Sequence, residues 1–287
     1  MRIVTLVENT ACRENLTAEH GLSLYIETEN HKILFDAGQS AAFADNAEKL
    51  GIDLSQVDMA VLSHGHYDHG GGLVRFLKIN NRATVWMNPH AFEDHYNGAD
   101  KYIGLDRSLL DSSRIRFAED GQRLGEGLTL YSRMDCPYGI RPFGLTVKEQ
   151  GKLVPEDFRH EQYLLIEDTG KRILISGCSH RGILNIVQWF RPDVLVGGFH
   201  FMKMDPEGAE LEAASAALKR YPCVYYTGHC TGAEQFETLK VSMGQQLHRL
   251  STGTEMIIGK EHSYEKRNCN SADAGADSGH VGPGGLQ

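Results

Sequence analysis

The chain has 287 residues, 41% of them hydrophobic and 23% charged, so it can bury a core as one large domain or two small ones. Its formal net charge is −9 at pH 7 and no stripe of lysine and arginine runs along it, which disfavours nucleic acid as a partner. No window has the roughly 18 uninterrupted apolar residues of a membrane-spanning helix. The cysteines form no compact disulfide framework and the N-terminal apolar run is too short for a secretory signal, so a cytoplasmic location is expected.

The first half of the chain alternates short apolar runs, which predict strands, with helical patterns. The predicted strands are RIVTLV, LSLYIET, HKILFDAG, VDMAVLSHGH and ATVWMNP, the last ended by Pro89. The predicted helices are SAAFADNAEKLGI, closed by Gly51, and LVRFLKIN. Strands that alternate with helices indicate an α/β architecture, with loops at the strand ends available for chemistry.

The second half repeats this order. EQYLLIEDTGKRILISG predicts a hairpin that turns at residues 169–170, and DVLVGGF and CVYYTGH predict two further strands. HRGILNIVQWF and AELEAASAALKRY predict the helices that connect them. Thr231 and Glu234 have the spacing of a capping box, which predicts a last helix in GAEQFETLKVSMGQQL, directly after CVYYTGH.

Two segments depart from this pattern. Residues 133–160 contain several prolines and glycines and have no clear period, which predicts a long loop or lid within a single domain that covers residues 1–262. Residues 263–287 have almost nothing to bury, so they are expected to be a disordered tail.

The segment LSHGHYDHGGGL concentrates metal-binding side chains directly after a predicted buried strand. His64 and His66 are two residues apart, so their side chains point the same way at an extended strand end and reach one ion. Asp68 and His69 follow after the chain turns and can bind the same ion or a second one. The alternative is a solvated turn with Asp68 as a helix cap, but unpaired polar groups at the end of a buried strand are costly.

Later strand ends supply further candidate ligands, because such ends converge on one edge of an α/β sheet. His229 is favoured as a ligand, whereas Cys178 is either a ligand or a small buried hydrophobe. His180 accompanies Cys178 in ILISGCSHRG. His200 is a ligand, a core residue or a substrate contact, and Cys230 is expected to be structural.

The remaining polar residues receive weaker assignments. Glu19 and His20 are expected to line the substrate pocket, together with His200. Asp36, which ends ILFDAG, either orients a ligand histidine or stabilises a turn. His90 and His95 are assigned to the surface, and His160 is assigned to a loop, with a role as a ligand as the alternative.

With these residues together, the sequence resembles the metallo-β-lactamase superfamily. The signature H-x-H-x-D-H stands here as His64, His66, Asp68 and His69, and ILFDAG, ILISGCSH and VYYTGHCTG resemble the motifs before and after it. The resemblance extends to about residue 262 and implies a four-layer αβ/βα sandwich with metal at one sheet edge. More narrowly, EHGLSLYIE, GCSHRGILNIV, GGFHF and GHCTG are similar to the dihydropterin ribofuranosyl-aminobenzene phosphate synthase subgroup.

The sequence departs from the family pattern at two points. Cys178 stands where most members have a metal-bridging aspartate, so a thiolate would replace that carboxylate and His180 becomes a candidate ligand. No PGHT-like histidine motif precedes it. The diiron flavoprotein branch usually has glutamate at the position of His66, so an electron-transfer role is disfavoured.

The resemblance and the residues together predict a metal-dependent hydrolase that acts on a small phosphorylated or ester substrate through a metal-bound hydroxide. One or two divalent ions are expected, zinc first, with iron or manganese as alternatives. Asp68 is expected to ligate or orient the hydroxide. Two alternatives remain: a synthase that joins a pterin to an aminobenzene ribonucleotide, and a non-catalytic metal-dependent sensor. The oligomeric state is left open.

Overall fold

The computed structural model describes residues 1–133, 135–168, 170–259 and 264–267. The strands of this part of the chain are β1 Arg2–Val7, β2 Ser23–Glu27, β3 Lys32–Phe35, β4 Met59–Val61, β5 Thr84–Met87, β6 His95–Asn97, β7 Lys101–Tyr102, β8 Ile115–Phe117, β9 Gln122–Gly125, β10 Leu128–Tyr131, β11 Leu145–Glu149, β12 Lys152–Pro155, β13 Tyr163–Asp168, β14 Lys171–Ile175, β15 Val194–Val196, β16 Val224–Thr227, β17 Leu247–Arg249, β18 Glu255–Ile258 and β19 Tyr264–Arg267.

The helices of the same residues are α1 Ala42–Lys49, α2 Tyr67–Gly70, α3 Leu73–Ile79, α4 Ile183–Phe190, α5 Ala209–Leu218 and α6 Ala233–Met243, with short 3₁₀ turns at Leu54–Gln56, Arg107–Asp111, His229–Thr231 and Gly244–Gln246. Each of these helices is too short or too polar to cross a lipid bilayer.

Two large mixed sheets face each other in the described part of the chain. One has the strand order β19-β18-β1-β2-β3-β4-β5-β8 and the other β17-β16-β15-β14-β13-β10-β9. Side chains from both sheets form one apolar cluster between them, including Ile3, Phe35, Leu164 and Ile175, none of which is exposed to solvent. Burying such side chains stabilises the fold by about 1.5–3 kcal/mol each, so this interface holds the two sheets together.

Helices cover the outer face of each sheet. Phe43 of α1 and Phe76 of α3 pack with Leu34 against the first sheet. Ile186 of α4 and Leu239 of α6 belong to a third apolar cluster, on the outer face of the second sheet. The layers are therefore helix, sheet, sheet and helix, which is the predicted four-layer αβ/βα sandwich.

Parallel strands deliver the polar motifs to one edge of the sandwich. β3 and β4 are parallel and paired at Phe35 and Val61, so the segments that follow them leave the sheet side by side. β14, β15 and β16 are likewise parallel, with Val196 paired to both Ile175 and Tyr226. Because the loops after parallel strands meet at one edge, motifs far apart in sequence lie together there.

The prediction of a loop or lid for residues 133–160 is wrong over most of its second half. β11 and β12 form a hairpin closed by two residues with positive φ, Gln150 at 47° and Gly151 at 82°, the geometry of a type I′ turn. β11 also pairs with β6, placing Val147 opposite His95. The segment is thus part of a small separate sheet with the order β12-β11-β6-β7.

The predicted disordered tail and the predicted capping box also need correction. Residues 264–267 of the tail form β19, which pairs with β18, and residues 268–287 lie outside the described residues. Helix α6 begins after Gly232, and its N-terminus has no side-chain cap. Thr231 Oγ1 instead accepts the Phe199 N–H at 2.9 Å and lies 2.5 Å from Thr227 Oγ1, so tertiary partners occupy the group that a cap requires.

Candidate metal centre

The H-x-H-x-D-H segment turns from β4 into α2 through very close backbone contacts. A Cβ on Gly65 would lie 2.2 Å from the Ala91 carbonyl oxygen, and one on Gly72 would lie 2.1 Å from that of Ala37. Glycine is therefore required at both positions, because any side chain would push the neighbouring backbone away. His66 precedes α2 in extended conformation, while Asp68 and His69 lie within the helix.

Four side chains converge on one point at the sheet edge, and we call them the metal centre: Asp68, His69, Cys178 and His229. His69 Nε2 lies 3.1 Å from Cys178 Sγ and 3.2 Å from His229 Nε2. His229 Nε2 lies 3.4 Å from Asp68 Oδ2. All four side chains are buried.

The other ring nitrogens of the metal centre face hydrogen-bond acceptors. His69 Nδ1 donates to Asp36 Oδ2 at 2.6 Å, and His229 Nδ1 donates to Asn9 Oδ1 at 2.8 Å. Each ring thus carries its proton on Nδ1, and both Nε2 lone pairs point inward. Lone pairs directed at one another in a buried space repel unless a cation lies between them, so these residues fit a metal ion.

A second group adjoins the metal centre and shares Cys178 with it. His64 Nε2 lies 3.3 Å from His180 Nε2, and both rings have a nitrogen within 4.8 Å of the Cys178 sulfur. Ser63 Oγ donates to Asp36 Oδ2 at 2.7 Å, and His64 Nδ1 donates to that same hydroxyl at 2.8 Å. The Asp36 carboxylate therefore orients His69 directly and His64 through Ser63, the contact that was predicted for it as an alternative.

Electrostatics favour the metal-binding forms of His64, His180 and Asp68, whereas the Asp36 and Asp68 carboxylates raise the pKa of His69 despite its burial. Burial, reinforced by neighbouring imidazoles, lowers the pKa of His64 and of His180 well below the usual value, so both rings are neutral. Burial opposes ionisation of Asp68, yet the neighbouring His69 and a hydrogen bond from His20 hold the pKa of its carboxyl well below normal. Burial raises the pKa of the Cys178 thiol, so a metal ion would be needed to form its thiolate.

A further buried group, the His–Glu cluster, comprises His66, His95, Glu156 and His160. His95 Nδ1 lies 3.0 Å from Glu156 Oε2, and His160 Nε2 lies 3.4 Å from Glu156 Oε1. Gly65 N–H donates to His160 Nδ1 at 2.8 Å. The assignment of His95 to the surface is wrong, because its side chain is not exposed, whereas His160 lies in a turn, as assigned, although its side chain is buried as well.

The predicted substrate residues are only partly brought together. His20 Nε2 lies 3.3 Å from Asp68 Oδ2, and His200 packs against His180 with 4.3 Å between ring centroids. Both line a cleft of about 120 Å³ over the metal centre. Glu19 does not line it, because its carboxylate accepts the Gln39 and Ser40 N–H groups and the Ser40 hydroxyl, which fastens a loop.

Two lysines that the sequence analysis missed line the same cleft. Lys101 lies 5.7 Å above the Tyr67 ring, and Lys203 Nζ donates to the Phe143 carbonyl at 2.6 Å. Their positive charges suit a substrate with an anionic group. Lys101 belongs to a two-residue strand of the small sheet, and nothing in the sequence pattern marks it.

Fold and site together define a protein of the metallo-β-lactamase class. The family model of the metallo-beta-lactamase superfamily matches residues 16–229, and the chain belongs to this superfamily, whose fold implies divalent metal binding. The matched segment runs from the loop after β1 to His229, the last residue of the metal centre. The predicted family and fold class are thereby confirmed.

Particular relatives sharpen this assignment. The Methanocaldococcus jannaschii protein MJ0448 is 33% identical over 211 residues, which cover 70% of this chain and 79% of that protein. A second protein of that organism, 7,8-dihydropterin-6-methyl-4-(beta-D-ribofuranosyl)-aminobenzene-5'-phosphate synthase, is 28% identical, with 88% of this chain and 95% of the relative covered. The crystal structure of Tm1679, described as a metal-dependent hydrolase of the beta-lactamase superfamily, has a TM-score of 0.80 and 28% identity and covers 90% of this chain and 99% of its own.

Proposed function

We propose that the chain is a metal-dependent hydrolase of small phosphorylated or ester substrates. The observation that carries this proposal is the metal centre, in which oxygen, nitrogen and sulfur donors converge with the proton of each imidazole held on its far side. A divalent ion there supplies a Lewis acid and lowers the pKa of a bound water towards about 7. Zinc is proposed because a mixed imidazole, thiolate and carboxylate set suits it, with iron or manganese as alternatives.

The surrounding residues have proposed roles around that ion. Asp68 Oδ2 lies 3.3 Å from His20 Nε2 and 3.4 Å from His229 Nε2 and lines the cleft, so its carboxylate would hold a water there. Lys101 and Lys203 would bind the anionic group of the substrate. Cys178 belongs to both donor groups, which makes its sulfur the candidate bridge if two ions bind.

The test combines metal content with turnover. We expect protein purified without chelator to contain zinc, iron or manganese, and to hydrolyse generic phosphodiester, lactone or thioester probes in a metal-dependent manner. His229→Ala, which removes one ligand of the metal centre, should abolish this activity. Metal-loaded protein that turns over none of the probes would contradict the proposal and leave a metal-dependent sensor.

A second candidate is a synthase that acts on a pterin. It is supported by the relative that carries a synthase name and matches 88% of this chain. Consumption of a dihydropterin diphosphate with release of diphosphate, in the absence of hydrolysis of the generic probes, would favour it over the hydrolase. A cytoplasmic location and the absence of a nucleic-acid partner stay predictions from composition.

A further inference from the structure

A second cavity lies beside the cleft over the metal centre, and its volume is about 310 Å³. His180 and His200 line both spaces, so these two imidazoles form the boundary between them. Most of the remaining walls are apolar or aromatic side chains, including Phe143, Ile183, Phe199, Phe201 and Met204. A group bound in this cavity would therefore lie next to the reacting end of a substrate held in the cleft.

The polar side chains around the cavity are already engaged with the protein. Asn185 accepts the Tyr138 N–H at 2.9 Å and donates to the Gly139 carbonyl at 3.0 Å. Arg141 and Glu210 form an ion pair with each other. A ligand with many polar edge atoms would lose its hydrogen bonds to water and find few replacements in this cavity, which costs roughly 1–3 kcal/mol per group.

His200 differs from these polar groups. Its Nδ1 has no hydrogen-bond partner among the described residues, and its ring lies at the boundary with the cleft. His180 Nδ1 likewise has no partner among the described residues, so the available imidazole nitrogens of this wall belong to the two rings that adjoin the metal centre. A ligand with one polar and one apolar end would fit, with its polar end at this boundary and its apolar end in the interior of the cavity.

We propose that the cavity binds an aryl group of the substrate, up to the size of two fused rings, while the anionic or ester end lies in the cleft. The volume is about twice that of an engineered cavity of roughly 150 Å³ that binds benzene. The phenylalanines that line the cavity provide ring edges and faces for aromatic contacts. This inference rests on the proposed function, because it assigns the rest of the substrate to the same site.

The test measures binding rather than turnover, in the full-length metal-loaded protein. Methylphosphonate and naphthylmethylphosphonate share one head group and differ only in the ring system. By calorimetry we expect the naphthyl compound to bind roughly 50-fold more tightly, the factor that corresponds to burying about 100 Å² of apolar surface. Equal affinities would overturn the proposal.

A matched pair of variants on α5 locates the binding site. Ala213 is exposed at the rim of the cavity, so Ala213→Trp should fill the cavity without disturbing the core, and should reduce the naphthyl preference at least tenfold while leaving methylphosphonate binding unchanged. Ala216 is exposed on the same helix away from the cavity, so Ala216→Trp should leave the preference intact. A full naphthyl preference in Ala213→Trp would contradict the assignment.

Two further outcomes separate this proposal from its rivals. If 6-methylpterin displaces the naphthyl compound, the cavity accepts a polar heteroaromatic ring and the aryl assignment is wrong. If the naphthyl compound binds as expected but no probe is hydrolysed, the cavity assignment stands and the proposed hydrolase function fails. If the probes are hydrolysed but the naphthyl compound binds no more tightly than methylphosphonate, the hydrolase function stands and the cavity assignment fails.

Discussion

The metal centre and the His–Glu cluster contain the same kinds of side chain, yet they differ in where their protons lie. In the metal centre, His69 and His229 donate on their far side, to Asp36 and Asn9. In the cluster, the Gly65 N–H occupies His160 Nδ1, so the proton of the neutral His160 ring is on Nε2 and faces Glu156. The tautomer of His160 therefore leaves no lone pair for a cation, whereas Nε2 of His66 and Nε2 of His95 have no hydrogen-bond partner among the described residues.

In the cluster, the Glu156 carboxylate accepts the Nδ1–H of His95 at 3.0 Å and has Nε2 of His160 3.4 Å from its other oxygen. Burial disfavours the charge on Glu156, but hydrogen bonds from His160 and His95 hold the pKa of its carboxyl well below the usual range. The bond from Gly65 to His160 joins this cluster to the segment between His64 and His66. The cluster includes His66, which the sequence predicted as a metal ligand, and we expect the cluster instead to support the ligand loop mechanically, without binding metal.

The largest expected effect comes from removing a ligand of the metal centre. His69→Ala removes an inward lone pair that lies 3.1 Å from Cys178 Sγ, so the bound metal should be lost and hydrolysis should fall below about 1% of wild type. Elemental analysis and turnover measure both effects. His90→Ala is the control, because that histidine is exposed and pairs with Glu93. If the His69→Ala protein keeps its metal and its activity, the metal centre does not bind the catalytic ion and its contrast with the His–Glu cluster is wrong.

The next effect concerns the residue that orients two ligands at once. Asp36→Ala removes the acceptor of His69 and of Ser63, so metal affinity should fall about 10- to 100-fold in a chelator competition. Asp36 has a φ of 55°, which asparagine tolerates, so Asp36→Asn should keep the backbone and lose less affinity. Equal losses in the two variants would show that the missing carboxylate, and not the backbone conformation, is responsible, and no loss in either variant would contradict the orienting role of Asp36.

Glu156→Gln tests the cluster directly. The amide presents an acceptor to one imidazole and a donor to the other, so one buried N–H group loses its partner and the free energy of unfolding should fall by about 1–3 kcal/mol. The metal content should not change. Urea unfolding and elemental analysis give the two values, and loss of one equivalent of metal would show that the cluster is a metal site after all.

The sequence could predict the metal centre because its members stand directly after apolar strands. The run that forms β14 leads to Cys178, and the end of β16 leads into His229, so local pattern alone located them. The cluster could not be predicted in this way. Its members meet only because β6 pairs with β11 at Val147 and His95, two short strands about 50 residues apart with weak alternation.

Similar physics explains why some local signals failed. The spacing of Thr231 and Glu234 is that of a capping box, but the Thr231 hydroxyl makes hydrogen bonds to the Phe199 N–H and the Thr227 hydroxyl instead. Phe199 is far from Thr231 in sequence, and Thr227 lies on the preceding strand. Glu19 was assigned to the pocket by proximity to His20, yet its carboxylate binds the loop at Ser40. A side chain that has several possible partners follows the tertiary structure rather than the nearest motif.

The smallest expected effect is on the pH dependence of stability. Burial lowers the pKa of His160 from 6.5 to about 4, so the unfolded chain binds a proton there that the folded chain does not. This contribution to stability is complete above about pH 6.5 and is lost as the pH falls towards 4. His160→Asn keeps an acceptor for Gly65 N–H without a titratable ring. In metal-free protein, the free energy of unfolding from urea titrations should therefore change less steeply with pH in this variant, by about 1.4 kcal/mol per pH unit between pH 6 and 4.5. An unchanged slope would mean that His160 is protonated in the folded state, and Glu156 would then be bound to an imidazolium rather than to two neutral rings.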